Sequence, residues 1–496
     1  MNVAGVINGH PDGDVALVSH GQETTYGELR RQVAALRAEF LRSGLVQGEC
    51  VALLCSNTPY FVVAMLAAAG AGAVVAPLNP TSPAPEIEKE FAVVQPSLVV
   101  IEPSAVRTWA GVTRNTTDAV RSVYVTEGHD IPGAVTIDDV MANGGDAPVV
   151  EMSTDDPIAY MFTSGTAGSP KAAVLTHGNL LSNIEQSMKS EHLVPSDVVF
   201  GVLPVFHIFG LNVMLLTSLA AGARVVLVQR FDPVSAVETV KERGITVMLG
   251  APSMWSAISQ LIDVDADVFD TLRVALSGAA KLPEQVIQSL SSRFGLEVRE
   301  GYGLTEASPA VTNALDLPFR PGSIGRPIPG VHLRIVDENG EDVLVGDTGE
   351  IWVKGPNVFA GYLNDPEATA RVKTTDGWLR TGDIAVVDEH GDIFMVDRAK
   401  DLIIVSGFNV FPAEVEDVLR MHPAVADAAV VGTAHPHTGE AVRAYVVLRA
   451  GMHLDEDAVV DHCRANLARY KCPSKVLFVG QLPRGITGKL QRYALR

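Results

Sequence analysis

The chain has 496 residues, 38 Lys and Arg against 58 Asp and Glu, and a formal charge of -20, and its length suits roughly two to four compact units. Hydrophobic residues at 47 % and charged residues at 19 % are ordinary globular usage, which excludes a small disulfide-stapled fold and wholesale disorder. The acidic excess works against a nucleic-acid or membrane-surface partner, and it lies wholly before residue 400, the remainder being close to balanced.

Met1 to Asp14 contains no basic segment followed by an apolar run, so no signal peptide is expected. Thr25 followed by Glu28 reads as a capping box. Leu29, Val33, Leu36 and Phe40 then recur at helical spacing up to a stop at Gly44, and Val51 to Cys55 is a short apolar strand. Two uncharged stretches, Phe61 to Leu78 and Val198 to Ala223, are interrupted by Gly70, Gly72 and Pro77 and by Pro204 and Gly210. Buried core is expected there rather than a membrane span. Strands at Val225–Val228, Val247–Gly250 and Glu297–Arg299 alternate with helices at Val234–Glu242 and Glu284–Phe294. Such alternation predicts an α/β fold of mostly parallel sheets flanked by helices.

From about Gly330 the texture changes to a β-ribbon or barrel subdomain, with His332–Asp337 and Gly349–Lys354 as one pair of strands and Ile384–Asp388 and Ile393–Asp397 as another. After Lys400 comes a small α+β pattern with a helix at Pro412–Met421 and strands at Asp427–Val431 and Ala444–Leu448. A boundary at Asp397–Asp401 divides the chain into domains 1–397 and 398–496. Between His462 and Arg496 there is no acid, while Arg464, Arg469, Lys471, Lys475, Arg484, Lys489, Arg492 and Arg496 all fall there. This is either a solvated basic tail or a movable anion-binding face. The cysteines, Cys50, Cys55, Cys463 and Cys472, lack metal-knuckle or redox spacing, which fits a reducing cytoplasm.

The segment with the clearest chemistry follows an apolar strand end. Thr163, Ser164, Gly165, Thr166, Ala167, Gly168, Ser169 and Pro170 offer backbone N–H and hydroxyl donors with little bulk, which suits a polyphosphate, and Lys171 adds a point charge. The usual NTPase loop has Gly before its Lys and Ser or Thr after it, whereas Pro170 and Ala172 stand there.

Together with Leu175-Thr176-His177-Gly178-Asn179-Leu180, this segment resembles the phosphate loop of the acyl-adenylate-forming enzymes, which include acyl-CoA synthetases, firefly luciferase and peptide-synthetase adenylation domains. Ala167 and Ala172 replace the family's more usual Thr and Gly. Further family segments follow in order. Gly301-Tyr302-Gly303-Leu304-Thr305-Glu306 resembles the adenine-and-phosphate segment, and Gly377-Trp378-Leu379-Arg380-Thr381-Gly382-Asp383 the ribose segment. Asp397-Arg398-Ala399-Lys400-Asp401 resembles the hinge, and Pro483-Arg484-Gly485-Ile486-Thr487-Gly488-Lys489 the catalytic-lysine loop.

The resemblance implies ATP, Mg²⁺ and CoA as the cofactors and co-substrates, a mobile C-terminal domain, and a role for each matched residue. Gly301, Tyr302 and Gly303 present a flat ring that a base can approach. Thr305 donates to the α-phosphate, Glu306 holds Mg²⁺, and Asp383 and Arg398 take the ribose hydroxyls. Lys489 touches both anions in the transition state. Lys400 lies at the hinge, and Gly407 and Phe408 belong to the strand presented to CoA. Leu203–Gly210 resembles the acyl-pocket wall, with His207 and Phe209 facing the acid, and Gly278 and Ala279 the floor beside adenine. Amino-acid-activating relatives carry an Asp at this wall. Here Phe206, His207, Ile208 and Phe209 stand instead, and an unpaired ammonium there would cost several kcal/mol, roughly. Lys281 replaces the family's usual Pro, with no physical account from sequence.

The implied activity is an ATP-dependent ligase joining a hydrophobic, chiefly fatty, carboxylic acid to CoA through an acyl-AMP. Three alternatives stay open: an acyl-AMP ligase serving a carrier protein, an oxygenase of the luciferase kind, and a non-catalytic nucleotide-binding regulator. The expected partners are small molecules, without nucleic acid or a transmembrane segment, and a homodimer is left open.

Overall fold

The computed structural model of the protein describes residues 1–126, 131–163, 170–398, 401, 403–405, 408–435, 439–467, 469–485 and 490–496. Among these residues the strands form three sheets, of thirteen, eight and five strands. The helices that flank them start and stop where local chemistry dictates. Thr25 caps the helix Tyr26–Arg42 in a reciprocal box with Glu28, and Leu29, Leu36 and Phe40 are fully buried on its inner face. After Ser43 the chain turns at Gly44, whose φ of +85° favours glycine. The uncharged stretch after Phe61 is a helix, Pro59–Gly70, buried on all sides, followed by the strand Val74–Leu78. No described helix is long and apolar enough to cross a membrane.

In the thirteen-stranded sheet, Val198–Gly201, Arg224–Leu227, Val247–Gly250, Val274–Ser277 and Arg299–Gly303 run parallel. The last of these begins only at Arg299, where Glu297–Arg299 was expected, and runs on through both glycines, because it pairs on its other edge with Ala310–Asn313. A side chain at Gly303 would collide with the Pro309 carbonyl, so the ladder closes only over glycine. The expected ribbon is present and joins the same sheet. Ser323–Pro327, His332–Val336, Thr348–Lys354, Leu379–Val387 and Ile393–Arg398 are antiparallel strands that continue the same sheet through Ala310–Asn313.

The eight-stranded sheet is parallel through Cys50–Leu54, Val74–Leu78 and Leu98–Ile101. It ends in an antiparallel hairpin, Pro157–Thr163 with Lys171–Thr176, in which Thr163 is the register partner of Lys171. The five-stranded sheet takes in Val425–His435, Gly439–Leu448 and Lys475–Phe478 and packs its own core of Val415, Leu419, Val430, Val446 and Cys463 under the helices Pro412–Met421 and Glu456–Asn466.

Two charge features differ from expectation or complete it. Most cations of the acid-free stretch are paired inside their own part of the chain, Arg484 with Asp427 at 2.5 Å, Arg492 with Glu416 at 2.8 Å, Arg496 with Asp401 at 3.0 Å, and Lys471 with Glu414 at 2.6 Å. They hold the small fold together, and as a group they are neither a solvated tail nor an open anion face. Lys281, unexplained by sequence, reaches Asp417 on the helix Pro412–Met421 at 2.7 Å and so links the two larger sheets' body to the small one.

His177, at the start of the helix His177–Glu191, is buried, and its Nδ1 accepts from the Val3 N–H at 3.1 Å. Burial, reinforced by the N-terminal ammonium and opposed by Asp156, pushes its pKa down to about 4. The unfolded chain therefore binds a proton that the folded one refuses, and stability falls as pH drops from the ordinary histidine range toward that value. His177→Gln is expected to flatten the fall in melting temperature between about pH 6.5 and pH 4.5, measured against wild type. Parallel curves for the two proteins would remove this role.

Candidate active site

The parallel strands end on one side of the body, and the segments leaving them meet around a cavity of about 600 Å³. Thr163 and Lys171 enter it from the base of the hairpin whose turn holds the phosphate-loop residues. Ser164 to Ser169 lie outside the described residues, and Pro170 precedes the second strand. Gly301, Tyr302 and Gly303 line it from the end of their strand, Thr305 and Glu306 from the turn that follows, and Gly278 and Ala279 from the turn after Val274–Ser277. Asp383 faces it from the strand Leu379–Val387.

Two phenols hold two carboxylates here. The Tyr302 hydroxyl donates to Asp383 Oδ2 at 2.7 Å, so the expected base platform and the expected ribose acceptor are one linked unit. Arg398 is the register partner of Asp383 on the neighbouring antiparallel strand, which places its backbone beside the same carboxylate. The Tyr362 hydroxyl donates to Glu306 Oε1 at 2.6 Å. Burial, then the adjacent Glu306, raises the Tyr362 phenol well above its usual range, so it stays a donor. One oxygen of Glu306 is thereby oriented by protein, and a single fixed carboxylate suits Mg²⁺, an ion that takes most of its ligands from phosphate and water. The Tyr362 ring also lies under the Lys171 ammonium, 5.4 Å from its centroid, and Lys171 is 3.4 Å from Asp365. Asp365 in turn caps the helix Pro366–Val372 by accepting from the Ala368 amide.

Tyr362 was not among the residues expected from sequence. Its strand, Gly361–Tyr362, is only a two-residue pairing against Lys171–Thr176, and the only sequence signal was an aromatic after glycine.

On the acyl side, His207 and Phe209 both line the cavity. The His207 Nδ1 accepts from the Phe209 N–H at 3.3 Å, which turns the imidazole back over the wall. Phe209 opens a π-helical turn, Phe209–Leu216, tied by Asn212 to the Ser308 carbonyl at 2.6 Å. A Cβ on Gly278 would stand 2.9 Å from the Phe209 ring, so glycine there sets the width of the pocket. Ala279 next to it has a φ of +72°, a strained conformation for a residue with a side chain. The lining also includes Glu191, an acid that nothing in the sequence pattern singled out, at the end of the helix His177–Glu191.

The C-terminal segment closes the cavity. Gly485 and Gln491 line it, Arg484 pairs with Leu490, and the Gln491 N–H donates to the Pro483 carbonyl. Lys489 itself lies outside the described residues, as do Lys400 and Gly407. Phe408 begins the strand Phe408–Val410, which pairs with Ile403–Val405.

A strand-end cavity entered by Thr163 and Lys171, and carboxylates held by phenols facing it, fit a nucleotide-using enzyme of the acyl-adenylate-forming superfamily. The chain belongs to the AMP-binding enzyme family, whose profile matches residues 4–363, and the AMP-binding enzyme C-terminal domain matches residues 414–489. It is 34 % identical to 4-coumarate--CoA ligase 2 of Oryza sativa subsp. japonica, over 96 % of this chain and 88 % of that one. It is also 34 % identical to a long-chain-fatty-acid--CoA ligase of Yersinia pestis, over 97 % and 91 %. The crystal structure of ATP-bound MatB from Rhodopseudomonas palustris superposes with a TM-score of 0.93 at 32 % identity, covering 100 % of this chain and 98 % of that one.

Gly278→Ala is expected to raise KM for an aryl acid roughly tenfold or more while sparing a two- or three-carbon acid, because only the wider substrate needs the space beside Phe209. Steady-state pyrophosphate release with both acids checks it. An equal effect on both would show that Gly278 does not set pocket width.

Proposed function

We propose that the chain is an ATP-dependent acid–CoA ligase for a hydrophobic carboxylic acid, fatty or aryl, working through an acyl-AMP. The observation that carries this reading is a single cavity shared by the hairpin ends Thr163 and Lys171, the Tyr302–Glu306 segment, Asp383, and the two residues Gly485 and Gln491 that flank the catalytic-lysine segment. Relatives named for 4-coumarate and for long-chain fatty acids support both kinds of acid.

In the first half-reaction a carboxylate oxygen of the acid forms a bond to the α-phosphorus of ATP while the bond to pyrophosphate breaks. Thr163 to Ser169 and Lys171 hold the phosphates, Tyr302 faces adenine, and Asp383 with Arg398 holds the ribose. Thr305 donates to the α-phosphate. Glu306 would hold Mg²⁺, which supplies charge neutralisation on the phosphates. Lys489 lies between the two anions and offsets the charge that accumulates as they meet. In the second half-reaction the CoA sulfur attacks the acyl carbonyl, its proton passes to solvent, and AMP leaves.

The lysine loop and the incoming thiol compete for one space. We therefore assign residues 398–496 as a lid on domain 1–397 that turns about 398–401, with Lys400 at the pivot. The turn withdraws Lys489 and brings Gly407 and Phe408 toward the thiol.

Acids of both kinds, assayed for AMP release with and without CoA, test the assignment. Release should require acid and ATP and rise with CoA; release that ignores CoA but responds to an acyl carrier protein would favour a carrier-dependent ligase. Lys489→Ala is expected to abolish pyrophosphate release while leaving thioester formation from supplied acyl-AMP within about a fewfold of wild type, since the thiol step follows withdrawal of the loop. Equal loss of both half-reactions would overturn the lid account.

A further inference from the structure

Lys281 and Gln285 reach from the large body to the helix Pro412–Met421 of the small fold. The Lys281 ammonium lies 2.7 Å from Asp417 Oδ2, and the Gln285 side-chain amide donates to the Arg420 carbonyl at 3.3 Å. Lys281 stands just before the helix Glu284–Phe294 and Gln285 in its first turn, while both acceptors lie in the last turns of Pro412–Met421. Two contacts at such spacing fix both where the second helix sits and how it is turned, which a lone ion pair does not.

Both halves of this clasp are anchored before they meet. The strand Val274–Ser277 leads into Gly278 and Ala279, which line the cavity, and Lys281 follows two residues later. The Gly278 N–H donates to the Gly250 carbonyl at 3.1 Å, and beyond Lys281 the N–H of buried Leu282 donates to buried Glu300 at 2.8 Å. Between these anchors Ala279 is held at a φ of +72°. One short loop therefore lines the cavity and grips the small fold. On the other side, Asp417 Oδ1 pairs with Arg420 at 3.2 Å, and Arg420 donates to the Ala428 carbonyl at 2.9 Å, which ties the acceptors to the strand Val425–His435. Groups placed in advance lose little freedom when they dock.

We propose that Lys281 and Asp417 are positioning residues for the first half-reaction: with Gln285 they favour the arrangement in which Gly485 and Gln491 line the cavity, and they part when the small fold turns for CoA. The inference rests on the lid assignment made above and names the contact that biases it. Lys281 touches no substrate and acts by placing the catalytic-lysine segment. Both side chains of the pair are nearly half exposed, and an exposed pair shifts an equilibrium by no more than about fivefold. Such a bias favours one arrangement and still lets go in every turnover.

The experiment measures two half-reactions separately on the full chain: pyrophosphate release from acid and ATP without CoA, and thioester formation from supplied acyl-AMP and CoA. The ratio of the first rate to the second follows the ratio of the two arrangements, whichever predominates. Lys281→Met, which keeps the aliphatic stem, and Asp417→Asn should each lower that ratio about twofold to fivefold. The double variant should go no lower than the single ones, since each removes the same contact. A merely structural role slows both half-reactions together, so a wild-type ratio in the single variants would overturn the proposal, as would effects that multiply in the double variant. Either substitution alone reads the ratio, and misfolding of one leaves the other decisive. Loss of both half-reactions in Lys489→Ala sinks the lid assignment and this inference with it, whereas a selective Lys489→Ala beside an unchanged ratio in Lys281→Met sinks this inference only.

Discussion

Bringing a carboxylate to a triphosphate inside a protein of formal charge -20 is the constraint on which this structure turns. Like charges must approach within bonding distance while the surrounding body adds more of the same sign. The solution relies little on bulk positive charge. The cavity lies at the ends of parallel strands, and a few cations enter it singly, Lys171 from the base of its strand pair among them. Fixed donors of this kind act at short range and need no excess of basic residues over the whole surface.

The carboxylates that must remain in such a site are controlled by phenols. Tyr302 on Asp383 and Tyr362 on Glu306 repeat one device at two places. A neutral hydroxyl fixes the rotamer of an acid without cancelling its charge, as an arginine would. The acid keeps its charge and its remaining lone pairs, and its position is set in advance. Lys171 above the Tyr362 ring ties the phosphate side of the cavity to the same pair. Lys171, Tyr362 and Glu306 thus form one connected group along the cavity wall.

How much of this could be read in the sequence depended on the range over which each signal acts. The capping box at Thr25 and Glu28 and the helices Glu284–Phe294 and Pro412–Met421 rest on local periodicity and emerged with their expected limits. Motif residues such as Thr163, Tyr302, Thr305 and Asp383 were legible because the chemistry of each is carried by a short segment, and all four line one cavity. What escaped is long-range. Tyr362 meets Glu306 across 56 positions and Lys281 meets Asp417 across 136, and no periodicity records either pairing. That the ribbon strands join the large sheet was hidden for the same reason, since only the antiparallel pairing of Ala310–Asn313 with Arg299–Gly303 reveals that one sheet continues through both. Glu191 was invisible because the end of an amphipathic helix gives no sign of which cavity it closes.

The charge pattern of the C-terminal part makes physical sense as a demand for internal rigidity. Its cations are bound to acids of the same small fold, Arg484 to Asp427 beside the lysine loop and Arg492 to the buried Glu416. Burial raises the Glu416 carboxyl, while Arg492 and then Arg420 pull it back toward ionisation, so the pairing is internal and shielded from salt. The contact to the large body is of the opposite kind. Lys281 and Asp417 are each nearly half exposed, and an exposed pair contributes at most about 1 kcal/mol. The pairs inside the small fold are shielded and the one across its boundary is weak, which is compatible with the proposed lid motion because such a turn would unpair no buried charge. The cations of the acid-free stretch therefore serve chiefly to stiffen the small fold.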